Sequence, residues 1–118
     1  MLKVLHNPRC ATSRKGLEYL RSRTDKFEII HYLNQGLTIE TIKEIFLKSN
    51  LKPIDLVRTQ ESYYKKYLKG KSFTQEEWIN IIKENPKLLK RPIIIGKYRA
   101  VIGDLPENIE NILTTIEP

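Results

Sequence analysis

Apolar and polar positions along this chain follow two different periods. Leu2, Val4 and Leu5 make a short strand-like run, which Asn7-Pro8 breaks. From Thr12 onward the period is helical. Gly16, Leu17 and Leu20 share one face with Tyr19 beside them, while Arg14, Lys15, Glu18 and Arg21 fall mostly on the other. Residues 22–26 are polar and turn-like. Phe27-Glu28-Ile29-Ile30-His31-Tyr32-Leu33 then reads as a strand whose mixed periodicity suggests burial on both faces, closed by Asn34-Gln35-Gly36. Strand, helix and strand in this order predict a βαβ unit with a right-handed crossover.

The next stretch is helical in pattern to about residue 84. Thr38 is a candidate N-cap ahead of Ile39, Ile42, Ile45, Phe46 and Ser49 on one side. Pro53 starts a new short piece, Ile54-Asp55-Leu56-Val57-Arg58. Tyr63, Tyr64, Tyr67 and Leu68 form an amphipathic turn or two that Gly70 ends. The three tyrosines resemble a base-stacking platform, but their helical spacing favours packing in or just under the core. Thr74 and Glu77 have the spacing of a capping box, which opens a helix carrying Trp78, Ile81 and Ile82 and interrupted near Asn85-Pro86. Arg91-Pro92-Ile93-Ile94-Ile95-Gly96 begins a strand, Lys97-Tyr98 turns, and residues 99–103 return as the hairpin partner. Pro106-Glu107 starts a last helix with Ile109, Ile112, Leu113 and Ile116 as its apolar face. The expected organisation is one α/β domain over residues 1–118, with a helical insertion at about 38–90.

Composition narrows the chemistry. The chain has 118 residues, 40% of them hydrophobic and 30% charged, as in a globular domain with a single core. No apolar run approaches the ~20 residues of a membrane span, and no apolar signal segment precedes Asn7-Pro8, so neither membrane insertion nor secretion is expected. The net charge of +7 favours anionic partners, among them oxyanions, glutathione, acidic protein surfaces and nucleic acid. Its basic residues are spread along the chain and no nucleic-acid module is legible, which makes nucleic acid an unfavoured partner. One cysteine and two histidines are not a convincing zinc set, so no metal is expected. A single cysteine also excludes an internal disulfide and fits a reducing cytoplasm.

That cysteine, Cys10, stands where the first helix should start. Backbone N–H groups and the helix dipole there favour a negative sulfur. A free thiol is only about 3% thiolate at neutral pH, and a downward shift of about two units makes it roughly three-quarters thiolate. Arg9 and Arg14 flank it, and the hydroxyls of Thr12 and Ser13 are within reach of the sulfur. Ser13 stands where a CxxC motif has its second cysteine. A hydroxyl there hydrogen-bonds a thiolate but closes no disulfide, so a resolving thiol must come from outside the chain.

His6-Asn7-Pro8-Arg9-Cys10-Ala11-Thr12-Ser13-Arg14 resembles the active-site loop, H-N-P-x-C-x-x-S-R, of the glutaredoxin-coupled arsenate reductases. Leu56-Val57-Arg58-Thr59 resembles that family's L-x-R segment, and residues 85–93 resemble its H-P-x-L-I-x-R-P-I segment. The resemblance extends through Ala100-Val101-Ile102-Gly103 and Pro106-Glu107, and so covers nearly the whole chain. It implies a thioredoxin-like fold with a mixed four-stranded sheet and an inserted helical subdomain. It also implies that Cys10 is the nucleophile, that Arg58 and Arg91 hold the oxyanion, and that Pro92 is the cis-proline facing the cysteine. His6, Asn7, Ser13 and Arg14 support the loop. The implied reaction is thiolate attack on arsenate, with glutathione as co-substrate and glutaredoxin as partner. One position departs from the family: its third arginine is replaced by Asp104, in a spacing that lets Asp104 cap the last helix with Glu107 at N3, and Arg99 is a candidate substitute cation. Two alternatives stay open: a regulator of the same fold that binds RNA polymerase, as the Spx type does, and a thiol reductase with another substrate.

Overall fold

A computed structural model describes residues 1–116, with side chains through Thr114. Four strands, β1 (Leu2–Leu5), β2 (Phe27–Ile30), β3 (Ile93–Ile95) and β4 (Ala100–Ile102), form one mixed sheet in the order β2-β1-β3-β4. β1 runs parallel to β2 with Val4 opposite Ile29, and antiparallel to β3 with Val4 opposite Ile94. β3 and β4 form the expected hairpin, closed by Gly96 N–H on Arg99 O at 2.7 Å. This is the mixed α/β sheet of a thioredoxin-like fold.

The sheet separates two cores, and strand alternation decides which side chain enters which. Val4 and Ile94 point to the side covered by α1 (Ala11–Arg23) and α5 (Pro106–Ile116), where they meet Leu17, Leu20, Ile109 and Ile112. Leu5, Ile93 and Ile95 point to the other side, under α3 (Ile39–Ser49) and α4 (Gln75–Glu84). Ile116, expected on the apolar face of α5, has its side chain outside the described residues. Gly16 marks the closest approach of α1 to the sheet. A Cβ there would lie 2.7 Å from Pro92 Cγ and overlap the Gly103 carbonyl oxygen, so only glycine fits.

Local signals place the helices where expected. Thr38 Oγ1 accepts from Thr41 N–H at 3.1 Å, and Asn50 ends α3 in the left-handed region at φ 58°. Thr74 and Glu77 form the reciprocal capping box, at 3.1 Å and 2.7 Å.

Three expectations are corrected. The second strand stops at Ile30 rather than running to Leu33, and Tyr32–Gln35 forms a short helix, α2, closed by Gly36 at φ 86°. β2 is an edge strand whose only partner, β1, ends at Leu5, so no ladder remains for residues 31–33. For the same reason β2 is half-buried rather than buried on both faces. The tyrosine stretch is a π-turn over Tyr64–Leu68, with Lys69 N–H on Tyr64 O at 2.8 Å. Tyr64 and Leu68 pack on the core, whereas Tyr63 and Tyr67 are exposed and stack on each other at 4.9 Å.

Candidate functional site

Cys10 is the N-cap residue of α1, half-buried, with extended backbone at φ −96° and ψ 121°. Its loop is held by its own neighbours. Asn7 accepts Cys10 N–H on its carbonyl and Arg9 N–H on Oδ1, both at 3.0 Å. Arg14 Nη1 donates to Pro8 O at 2.9 Å, and Arg14 N–H to Cys10 O at 2.9 Å. Asn7 and Arg14 therefore shape the loop, and the Arg14 guanidinium is spent on Pro8 rather than on the sulfur.

Burial is the largest influence on the Cys10 thiol and pushes its pKa up. The Ser13 N–H, the Arg91 guanidinium and the Thr12 N–H together outweigh it, and the thiol lies below its ordinary value. The amides do what the hydroxyls were expected to do. Ser13 Oγ is turned away from the sulfur and fully buried, 2.8 Å from His6 Nδ1 and accepting Asn7 N–H at 3.1 Å. The hydroxyl carries one proton and two acceptor lone pairs, so it meets Nδ1 in either tautomer of the neutral ring. Burial, followed by the charges of His31, Arg21 and Arg14, lowers the His6 pKa and favours the neutral ring. His6 thus anchors the loop through Ser13.

Arg58 and Arg91 are far apart in sequence and adjacent in space. An isolated antiparallel bridge joins Val57 to Leu89. Arg58 N–H donates to Leu88 O at 2.7 Å and Lys90 N–H to Leu56 O at 2.9 Å, locking the two segments side by side. The Arg91–Pro92 peptide is cis, as the resemblance implied. Cys10, Thr12, Arg58, Lys90, Arg91 and Asp104 line one cavity of about 190 Å³. A larger groove of about 670 Å³ lies beside the same loop, walled by His6, Pro8, Arg9, His31 and Tyr63, without touching Cys10.

The polar atoms of the small cavity are incompletely used. Arg91 Nη1 donates to Lys87 O at 3.1 Å, while its Nε is buried with no hydrogen-bond partner. Arg58 Nη1 is 3.1 Å from Glu61 Oε2, close enough for an ion pair but misaligned for a hydrogen bond. The Tyr32 hydroxyl, outside the cavity lining, is a third such atom, and among the described residues these three are the buried side-chain polar atoms without a hydrogen bond. All three can donate, and native proteins seldom bury such groups unpaired.

Asp104 does not cap α5. The first helical bond of α5 runs from Ile109 N–H to Leu105 O, which makes Leu105 the cap, because the helix begins at Pro106 rather than one residue earlier. The Asp104 carboxylate accepts instead from Asn108 Nδ2 at 3.2 Å and stands in the wall of the Cys10 cavity. Arg99 is turned onto Asn111 and does not line that cavity. Three residues of the site carried no sequence signal of their own. Lys90 and Gln60 line the cavity through the bridge that brings their segments together, and Tyr32 was hidden in an apolar run read as strand.

Among the described residues no group of three or more His, Cys, Asp or Glu is placed to hold a metal ion. No helix among them is long and apolar enough to cross a membrane.

Residues 5–112 match the model of the ArsC family. An arsenate reductase of Neisseria meningitidis is 32% identical over 114 residues, covering 95% of this chain and 97% of that protein. An uncharacterized protein of Escherichia coli, YfgD, is also 32% identical, covering 95% and 96%. An arsenate reductase structure from Vibrio cholerae superposes with a TM-score of 0.86 at 28% identity, covering 94% of this chain and 96% of that one.

Proposed function

The chain belongs to the ArsC family, and from that premise we propose that it reduces arsenate, with the Cys10 thiolate as nucleophile and Arg58 and Arg91 as the oxyanion clamp. One observation carries the reading. The guanidinium groups of Arg58 and Arg91, each with a buried nitrogen that makes no hydrogen bond, line one cavity with the Cys10 thiol of lowered pKa, and an oxyanion there supplies acceptors for their N–H groups. An arginine fork stays cationic at any ordinary pH and matches two oxygens of a tetrahedral anion.

The chemistry balances as follows. The Cys10 thiolate forms a bond to As(V) and one arsenate oxygen leaves as water after protonation. The thiol of glutathione replaces a second oxygen, again released as water. Glutaredoxin thiolate then attacks the glutathione sulfur. The sulfur–arsenic bond breaks, its electron pair stays on arsenic as As(III), and a mixed disulfide forms. Water finally cleaves the Cys10–arsenic bond, releasing arsenite and the free thiol. Two external thiols are oxidised for each arsenate reduced, as a chain with one cysteine requires. Such a cycle belongs in a reducing compartment, the cytoplasm.

Asp104 in the cavity wall favours one alternative, a reductase of the same fold with a less charged substrate. The deciding assay is arsenite production with glutathione and glutaredoxin. Wild type should turn over and Cys10→Ser should not. Equal rates for the two, or no arsenite from the folded wild type, would reject arsenate reduction.

A further inference from the structure

Tyr32 is fully buried, and its ring packs in the core cluster with Leu56, Val57, Leu88 and Leu89. These four residues immediately precede Arg58 or form the bridge segment that leads to Arg91. A phenylalanine would fill the same space without burying a hydroxyl that has no hydrogen bond. The core does not explain the oxygen.

The surroundings of the oxygen do. Burial pushes the phenol pKa up, and among the neighbouring charges Arg91 acts on it most, then Arg58, then Cys10. The packing agrees: α2, which carries Tyr32, packs against residues 86–88, where the Lys87 carbonyl holds Arg91 Nη1, and Tyr32 itself is not among the residues that line the Cys10 cavity. The unpaired Arg91 Nε is its natural complement, since one is a buried donor and the other carries acceptor lone pairs.

Resting on the oxyanion reading above, we propose that Tyr32 is a positioning residue for Arg91: when the cavity is filled, the phenol oxygen accepts Nε–H and fixes the guanidinium. Lys87 O already holds Nη1. The second hold removes the remaining rotation and leaves Nη2 for the oxyanion. An arginine held at two points in the complex keeps Nη2 in one orientation toward the oxyanion.

Tyr32→Phe deletes one oxygen and keeps the ring. Arsenate affinity is measured by titration of the Cys10→Ser protein, and the pH midpoint of alkylation on the protein with Cys10 intact. Tyr32→Phe should weaken arsenate binding about tenfold, the scale of one lost hydrogen bond. It should leave the alkylation midpoint without arsenate unchanged, because the two groups are unpaired while the cavity is empty. The thermal midpoint should stay level or rise. In an Arg91→Ala background, Tyr32→Phe should change neither affinity nor midpoint. A less stable Tyr32→Phe with unaltered affinity would show a purely structural hydroxyl. A full effect persisting without Arg91 would show that the hydroxyl acts on the ligand directly, and either result overturns the proposal. Arg58→Ala separates the two levels. If it also leaves arsenate affinity unchanged, the oxyanion reading falls. If it weakens binding while Tyr32→Phe does not, only the role of Tyr32 falls.

Discussion

Asp104→Arg is expected to improve arsenate capture. Asp104 shares the Cys10 cavity with Arg58, Lys90 and Arg91, and is the carboxylate among its lining residues. A cavity of about 190 Å³, taken as a sphere, is about 7 Å across, so charges on facing walls interact by about 0.6 kcal/mol each at the dielectric of water. Reversing the sign changes the charge by two, which gives about 1.2 kcal/mol toward a monoanion, or roughly an eightfold lower KM. The fold should tolerate the change. Asp104 is exposed, and Asn108 Nδ2, which it accepts from, also donates to Ile102 O at 3.0 Å. Stability should therefore move by no more than about 0.5 kcal/mol. The assay is initial-rate arsenite production across arsenate concentration, at low and high salt. KM should fall with kcat little altered, and the gain should shrink at high salt, because exposed charges are screened beyond about 8 Å at physiological ionic strength. An unchanged or higher KM in the folded variant would refute the electrostatic opposition and favour a different substrate.

Other perturbations have defined outcomes. Ser13→Ala leaves the buried His6 Nδ1 and Asn7 N–H unpaired and should cost about 1–3 kcal/mol in denaturant unfolding, with the Cys10 alkylation midpoint still below that of a free thiol because backbone amides serve the sulfur. Gly16→Ala forces a Cβ against Pro92 and the Gly103 carbonyl and should destabilise by about 1–3 kcal/mol on thermal or denaturant melting. The folded Cys10 pKa is depressed, so the reactive thiolate persists above that pKa and is lost as pH falls through it. Arg91→Ala should move the alkylation midpoint upward, and no movement would remove Arg91 from the account.

Much of this architecture was legible because it depends on short-range signals. The Thr74–Glu77 box, the Thr38 cap and the strand through Ile93, Ile94 and Ile95 are each set within a few residues, and each appears where the pattern put it. What the pattern missed depends on partners. Residues 31–33 look like strand, but β1 offers them nothing to pair with. Tyr63 and Tyr67 have core-like spacing, yet the π-turn rotates them outward. At the site, the motifs named Cys10, Arg58 and Arg91, and the Val57–Leu89 bridge explains why the two arginines meet. The Ser13 hydroxyl illustrates the remaining ambiguity. Sequence placed it one helical turn from the sulfur, but two buried groups on the other side, His6 and the Asn7 amide, claim it. Asp104 had the spacing of a cap, and the choice of Leu105 is made by where the chain enters α5.

The central claim is that Cys10, Arg58 and Arg91 form one oxyanion site. It is tested most directly by the rate at which a small alkylating agent modifies Cys10 as arsenate is added, with neither glutathione nor glutaredoxin present. An anion held by both arginines covers the sulfur. Arsenate should therefore slow alkylation of the wild type in a saturable way, and Arg58→Ala or Arg91→Ala should each require far more arsenate for the same protection. An alkylation rate that does not respond to arsenate, or protection that survives loss of both arginines, would contradict the account.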